Sequence, residues 1–277
     1  MIQCVKTNGF EMEYLQFGRG KKTLVIIPGL SIKSVLLSAD TIESAYASFT
    51  EEFTVYLFDR RKETGGRYKI KQMARDTIAA INALGLKNIY LFGTSQGGMI
   101  CQFIAALEPD LVKKMILGSS ACSVKFSKDA APVLWIDYAK KGDVPALVNS
   151  FVDLCYSKAT ADACRAAVLE AHKDVTPEEL RKFIVLAKGT KGFSSVRVLK
   201  KIKCPVFVIG SKADKVLGGG SSEMLAQKLG CKLFMYEDFG HAVYDEAPDY
   251  KQKMLEFFAE GADGASLSAS GQENDRA

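Results

Sequence analysis

Apolar positions along this chain fall into two alternating rhythms. Leu24-Val25-Ile26-Ile27, Val55-Tyr56-Leu57-Phe58, Ile89-Tyr90-Leu91-Phe92 and Val206-Phe207-Val208-Ile209 are short unbroken runs, rich in branched and aromatic residues. Such runs predict strands buried on both faces, as in the middle of a parallel sheet. Between them the apolar residues recur every three or four positions. Ile70, Met73, Ile78, Ile81 and Leu84 share one helical face, which Gly85 ends, and Met99, Ile100, Phe103 and Ile104 share another. Asn8-Gly9, between residues 2–6 and 11–17, is a hairpin signal. Further strands are predicted at 114–118 and 231–236, helices at 221–229 and 248–259, and a weak helix at 38–48. Strand and helix alternate, which predicts an α/β fold around a mostly parallel sheet.

The alternation stops between residues 124 and 200. Only helical patterns occur there, at 129–141, 143–156, 160–172 and 177–188, the last opened by Thr176-Pro177-Glu178-Glu179. The expected organisation is therefore a core domain of residues 1–123 and 201–260, with a helical insertion at 124–200. Residues 261–277 are polar and rich in Ser, Gly and Ala, the composition of a disordered tail or an appended segment.

Composition narrows the function classes. With 48% hydrophobic and 25% charged residues over 277 positions, the chain can bury one full core. Its 37 basic residues are interspersed with 32 acidic ones, leaving a modest net charge of +5 and no basic run suited to nucleic acid. No apolar stretch has the length of a membrane span or of a signal peptide. The seven cysteines are scattered, without a Cys-x-x-Cys pair, and fit reduced thiols in the cytoplasm. His-Glu-x-x-His and zinc-spaced Cys/His clusters are absent, so neither metal nor organic cofactor is expected.

Chemistry concentrates at Gly93-Thr94-Ser95-Gln96-Gly97-Gly98, between a predicted strand and a predicted helix. An abrupt strand-to-helix turn forces its central residue into strain, and glycines two before and two after leave room for close packing. Ser95 would stand clear of the sheet at a helix N-terminus, where free N–H groups favour an oxyanion. By itself G-x-S-x-G arises by chance in roughly one chain in ten of this length. Its weight comes from the flanking elements and from what lies downstream. A serine nucleophile needs a base, and the base needs an orienting group. Of the two histidines, His241 follows Gly240 in a loop after a strand, whereas His172 ends a polar helix and reads as a surface or packing residue. Asp214, just past Val208-Ile209-Gly210, faces the same rim of a parallel sheet as Ser95. Asp238 competes for its role, but its short tether to His241 suits it less.

The order Ser95, Asp214, His241 with a G-x-S-x-G turn resembles the α/β-hydrolase superfamily. The likeness spans nearly all of residues 1–260 and includes Pro28-Gly29-Leu30, Asp59-Arg60, Cys204-Pro205-Val206 and Glu246-Ala247-Pro248. It implies an eight-stranded, mostly parallel sheet with helices on both faces and the insertion as a cap over a cleft. It also implies an oxyanion hole from the backbone N–H groups of Gln96 and Leu30. Members often carry His-Gly where this chain has Pro28-Gly29. Within the cap, Trp135, Tyr138 and Phe151, with Leu154, Tyr156 and Phe183, could line a substrate pocket or simply pack the cap. The implied activity is cleavage of a small, largely apolar ester through an acyl-serine. The partner is then that small molecule, with the chain as monomer or homodimer and neither nucleic acid nor membrane involved. A lactone, thioester, C–C or aminopeptidase substrate, a cofactor-free perhydrolase, or a ligand-binding protein with a silent triad remain alternatives. Haloalkane dehalogenation is disfavoured, because that chemistry needs an aspartate at position 95.

Overall fold

Eight strands form one sheet in the computed structural model, which describes residues 1–7 and 9–261. The turn residue Asn8 and residues 262–277 of the expected tail lie outside that description. The hairpin of β1 (Ile2–Thr7) and β2 (Phe10–Phe17) is antiparallel and joins the sheet through β2. β3 (Lys22–Ile27), β4 (Phe53–Phe58), β5 (Ile89–Thr94), β6 (Val112–Gly118), β7 (Val206–Ser211) and β8 (Lys232–Tyr236) run parallel to one another. The spatial order is β1-β2-β4-β3-β5-β6-β7-β8. All the loops after β3, β5, β6, β7 and β8 therefore leave from one rim, where ligands gather in such sheets.

Alternation along each central strand feeds two layers of helices. Val25, Ile27 and Leu91 pack on one face with α2 (Ile70–Ala83), α3 (Gln96–Leu107) and α8 (Gly220–Leu229). Leu24, Ile26 and Phe92 pack on the other with α10 (Tyr250–Ala259), the short α9 (Val243–Glu246) and the segment around α1 (Ala39–Ala45). Lys114 breaks the apolar run of β6, yet its ammonium is buried usefully. It donates to the carbonyls of Phe257 and Glu260, 2.6 Å each, and so caps the C-terminal end of α10.

Helices α4 (Ala131–Lys141), α5 (Val144–Cys155), α6 (Lys158–Ala171) and α7 (Pro177–Gly189) lie between β6 and β7. They share an apolar cluster of their own, including Trp135, Ile136, Leu147, Val152 and Phe183. Thr176 and Glu179 form a capping box at the start of α7, as the sequence signal there predicts. The neck is closed by a bridge between Ser123 and Ser194 and by the Ser195 hydroxyl on Gln102 Oε1, 2.5 Å away. Two details differ from the expected pattern. α6 begins at Lys158 because the Ser157 side chain caps the Thr160 N–H, and α9 is too short to leave a periodic signal. Among the described residues no helix is long and apolar enough to cross a membrane.

Leu91 is fully buried in β5, at the middle of the sheet. Leu91→Ala is expected to lower the unfolding free energy by about 3 kcal/mol through lost transfer energy and an unfilled cavity. Urea denaturation followed by circular dichroism would measure it; a loss under about 1 kcal/mol would contradict this packing.

Candidate active site

Ser95 sits between β5 and α3 with φ 51° and ψ −119°, a left-handed conformation that strains any residue with a Cβ. Hydrogen bonds on either side hold it there. Its N–H donates to the Gly118 carbonyl at 2.8 Å, and its own carbonyl accepts from the Ser120 hydroxyl at 2.9 Å. The flanking glycines are required by contact. A Cβ on Gly93 would lie 2.7 Å from the Gly97 carbonyl carbon, and one on Gly97 would lie 2.5 Å from the Pro28 oxygen and nearer still to that of Ile27. The N-terminus of α3 thus rests directly on the chain leaving β3. A Cβ on Gly29 would stand 3.3 Å from that of Ser95, so this loop borders the serine.

The N–H groups of Leu30 and Gln96 donate to no acceptor among the described residues. Gln96 is the first residue of α3, where such N–H groups point outward and the helix end is partly positive. Its side chain turns inward. Gln96 Nε2 donates to the Leu186 carbonyl of α7 at 2.9 Å, and Gln96 Oε1 lies 3.4 Å from the Arg60 guanidinium. Arg60 also donates to the Pro28 carbonyl at 2.7 Å, so one buried cation ties together the β3 loop and the residue beside Ser95. Burial pulls its pKa down and the neighbouring Asp59 pulls it up.

Asp214 and His241 meet across the loops that follow β7 and β8. His241 Nδ1 lies 2.8 Å from Asp214 Oδ2, with both side chains buried. Asp214 Oδ1 accepts from the Val216 and Leu217 N–H groups at 2.8 and 3.0 Å. Burial would raise the Asp214 pKa, but the imidazole and these two N–H groups outweigh it and hold the carboxyl below its usual range. A carboxylate can only accept, so Nδ1 carries a proton; in the neutral ring that tautomer leaves Nε2 as the acceptor. In this structure the Ser95 hydroxyl makes no hydrogen bond to the imidazole. Catalytic contacts of this kind often tighten only once substrate is bound.

The competitors fall away. Asp238 is exposed, and His172 bonds the Val168 carbonyl at 2.8 Å near the end of α6. Trp135 stacks on Phe151 with ring centroids 4.2 Å apart and spends its N–H on Ser150 at 3.2 Å. Trp135, Phe151 and the half-buried Tyr138 belong to the apolar cluster of the insertion; none of them lines the cavity between residues 66–69, α4 and α7 or the one beside Ala121–Lys125. Among the described residues no cluster of His, Cys, Asp or Glu could hold a metal ion.

Two groups named in the sequence only for their resemblance gain a role in the structure. One is Arg60. The other is Glu246, which accepts from the Gly240 N–H at 2.8 Å and the Ser157 N–H at 2.9 Å, linking the His241 loop to the start of α6. The Ala242 N–H donates to the Cys155 carbonyl at 2.7 Å, so backbone on both sides of His241 is fastened to the α5–α6 junction. In sequence each stands in a segment that carries the family resemblance, Asp59-Arg60 and Glu246-Ala247-Pro248, without a signal for the bond it makes.

Known proteins share this fold. A family model described as "alpha/beta hydrolase fold" matches residues 22–155. In sequence the chain is 25% identical over 224 residues to "Putative carbamate hydrolase RutD" of Agrobacterium fabrum, covering 76% of this chain and 84% of that one. In structure it is similar to MGS-M2, an alpha/beta hydrolase enzyme from a Medee basin deep-sea metagenome library. That match has a TM-score of 0.83 and 19% identity over 94% of this chain and 98% of the other. An esterase of Exiguobacterium antarcticum superposes with a TM-score of 0.80 and 18% identity, over 94% of this chain and 100% of its own.

Gly97→Ala should force α3 away from the β3 loop and cost about 1–3 kcal/mol, as overpacking does. A melting temperature equal to wild type would show that the loop yields freely. For Asp214 the sign follows from its depressed pKa. Its contribution to stability is present above the ordinary carboxylate pKa and is lost as pH falls through the lower, folded value. Wild type should therefore lose stability more steeply than Asp214→Asn from about pH 5 downward, read as melting temperature against pH. Parallel profiles would remove the paired carboxylate.

Proposed function

We propose that the chain, which has the α/β-hydrolase fold, is an enzyme of that superfamily and cleaves a small, largely apolar carboxylic ester through an acyl-serine intermediate. One observation carries the reading: the buried 2.8 Å hydrogen bond from His241 Nδ1 to Asp214, on the rim where the strained Ser95 stands. His241 Nε2 takes the proton of the Ser95 hydroxyl as its oxygen attacks the ester carbonyl. The oxyanion that forms is held by the N–H groups of Gln96 and Leu30, the former strengthened by the α3 terminus. His241 then returns the proton to the departing alcohol, and water repeats the sequence to release the acid. Asp214 keeps the ring in the required tautomer and stabilises the imidazolium while it lasts. Arg60 fixes the loop that presents the Leu30 N–H. The insertion serves as the cap, and its apolar interior supports an apolar acyl or alcohol group.

The similarity to a protein named as a carbamate hydrolase favours one second reading. On the same residues, the scissile bond would be the C–N bond of a carbamate. A dissolved substrate and a reducing, cytoplasmic location belong to the proposal; seven unpaired thiols, three of them buried, support the latter.

A fluorophosphonate probe should label the wild type at Ser95 and leave Ser95→Ala unlabelled. Against p-nitrophenyl esters from acetate to dodecanoate, Ser95→Ala and His241→Ala should lower kcat by about a thousandfold or more. Absence of labelling in the folded wild type would overturn the reading. Turnover of phenyl carbamates with inert esters would select the second one.

A further inference from the structure

A cavity of about 460 Å³ opens at the seam between core and insertion, and Ser95, Asp214 and His241 are not among the residues lining it. Its walls come from three segments: residues 66–69 before α2, α4 with Phe126, and the last turn of α7 through Lys191. Phe126, Val133, Ile136, Val185 and the ring of Tyr68 make part of it apolar. The charged lining is one-sided: Arg67, Lys69, Lys140, Lys188 and Lys191 against Asp137 alone. Asp137 is already paired with Lys140 at 3.3 Å. The other four cations have no carboxylate within ion-pair distance among the described residues.

Like charges gathered around a concave, partly apolar wall repel one another and focus a positive potential into it. The C-terminal ends of α4 and α7 account for Lys140 and Lys188, since helix ends favour cations there. They do not account for Arg67 and Lys69, which precede α2. Lys69 is held in place, its ammonium donating to the Lys191 carbonyl at 2.7 Å. Burial first, and then the charges of Arg67 and Lys191, push its pKa down, as expected of a cation lacking its counter-charge.

We propose that this cavity binds a small organic anion: a doubly charged head, phosphate monoester or dicarboxylate, met by Arg67, Lys69, Lys188 and Lys191, with an apolar body against Phe126, Val133, Ile136 and Val185. The volume suits such a molecule. Leu186, next to Val185 and two residues before Lys188, accepts the Gln96 amide, so an occupant would press on the helix that holds the residue beside Ser95. The proposal concerns binding and stands apart from the ester chemistry.

The test is titration of the full chain with phenyl phosphate and with phthalate. Calorimetry and the fluorescence of Trp135, the only tryptophan, on the helix that supplies Val133 and Ile136, report binding. Benzyl alcohol and inorganic phosphate are the controls for body and head. Phenyl phosphate or phthalate should bind about tenfold tighter than benzyl alcohol. The Lys69→Gln/Lys188→Gln/Lys191→Gln variant should bind them about tenfold more weakly, the loss of three modest charge contacts. Lys200→Gln/Lys201→Gln/Lys228→Gln, with the same charge change elsewhere, should bind as wild type does, and so should Ser95→Ala. Lys188→Glu/Lys191→Glu, at two exposed positions, repeats the test should the triple variant melt early. Equal affinity for benzyl alcohol, unchanged affinity in the charge-reversed variant, or no binding at millimolar concentration would each overturn the proposal. Binding of the anions by Ser95→Ala, whatever its hydrolytic fate, keeps this outcome separate from that of the acyl-serine reading.

Discussion

The space between three carbonyl-bearing backbones decides where everything else in this molecule can stand. β5 turns into α3 within one residue, and the turn closes only because Gly93 and Gly97 present no side chain to each other or to the chain leaving β3. Two absent methyl groups allow the helix terminus to approach the β3 loop until the Ser95 Cβ is in contact range of Gly29. That approach seats the start of α3 against the chain leaving β3, one residue from Leu30. The strain at Ser95 is sustained by the sheet, since its N–H continues the β5–β6 ladder through the Gly118 carbonyl.

Around this elbow the buried and half-buried charges are spent mainly on backbone rather than on one another. Arg60 meets carbonyls, Glu246 and Asp214 meet N–H groups, and Asp214 alone also meets an imidazole. An isolated buried charge would cost several kcal/mol. Bonded to fixed dipoles, as Asp214 is through the Val216 and Leu217 N–H groups, it instead fixes the loops that carry those dipoles. The rim of the sheet is irregular chain, with no ladder of its own to order it. These three side chains supply that order, each joining segments far apart in sequence.

Distance along the chain also explains what could be read in advance. Leu24–Ile27, Ile89–Phe92 and Val206–Ile209 announce buried strands because a doubly covered strand is apolar throughout. Ser95 is legible because its turn demands glycine at fixed offsets, and His241 because so few histidines compete. Arg60 and Glu246 were not assigned roles, since their bonds to Pro28 and Ser157 cross 32 and 89 residues to main-chain groups, which no side-chain pattern records. The stack of Trp135 on Phe151 was equally hidden: periodicity shows that a face is apolar without saying what covers it. The cations of the seam cavity each resemble solvated surface charge in sequence. Only folding reveals that Arg67 and Lys69 converge with Lys188 and Lys191 on one hollow.

The fastening of the His241 loop to the α5–α6 junction has a consequence for motion. Cys155 grips Ala242, and Glu246 grips Gly240 and Ser157 together. An insertion that swung open at this junction would either break those bonds or drag the imidazole along. Position of the ring and position of the α5–α6 junction are thereby coupled through main-chain and carboxylate bonds, none of which uses the imidazole itself.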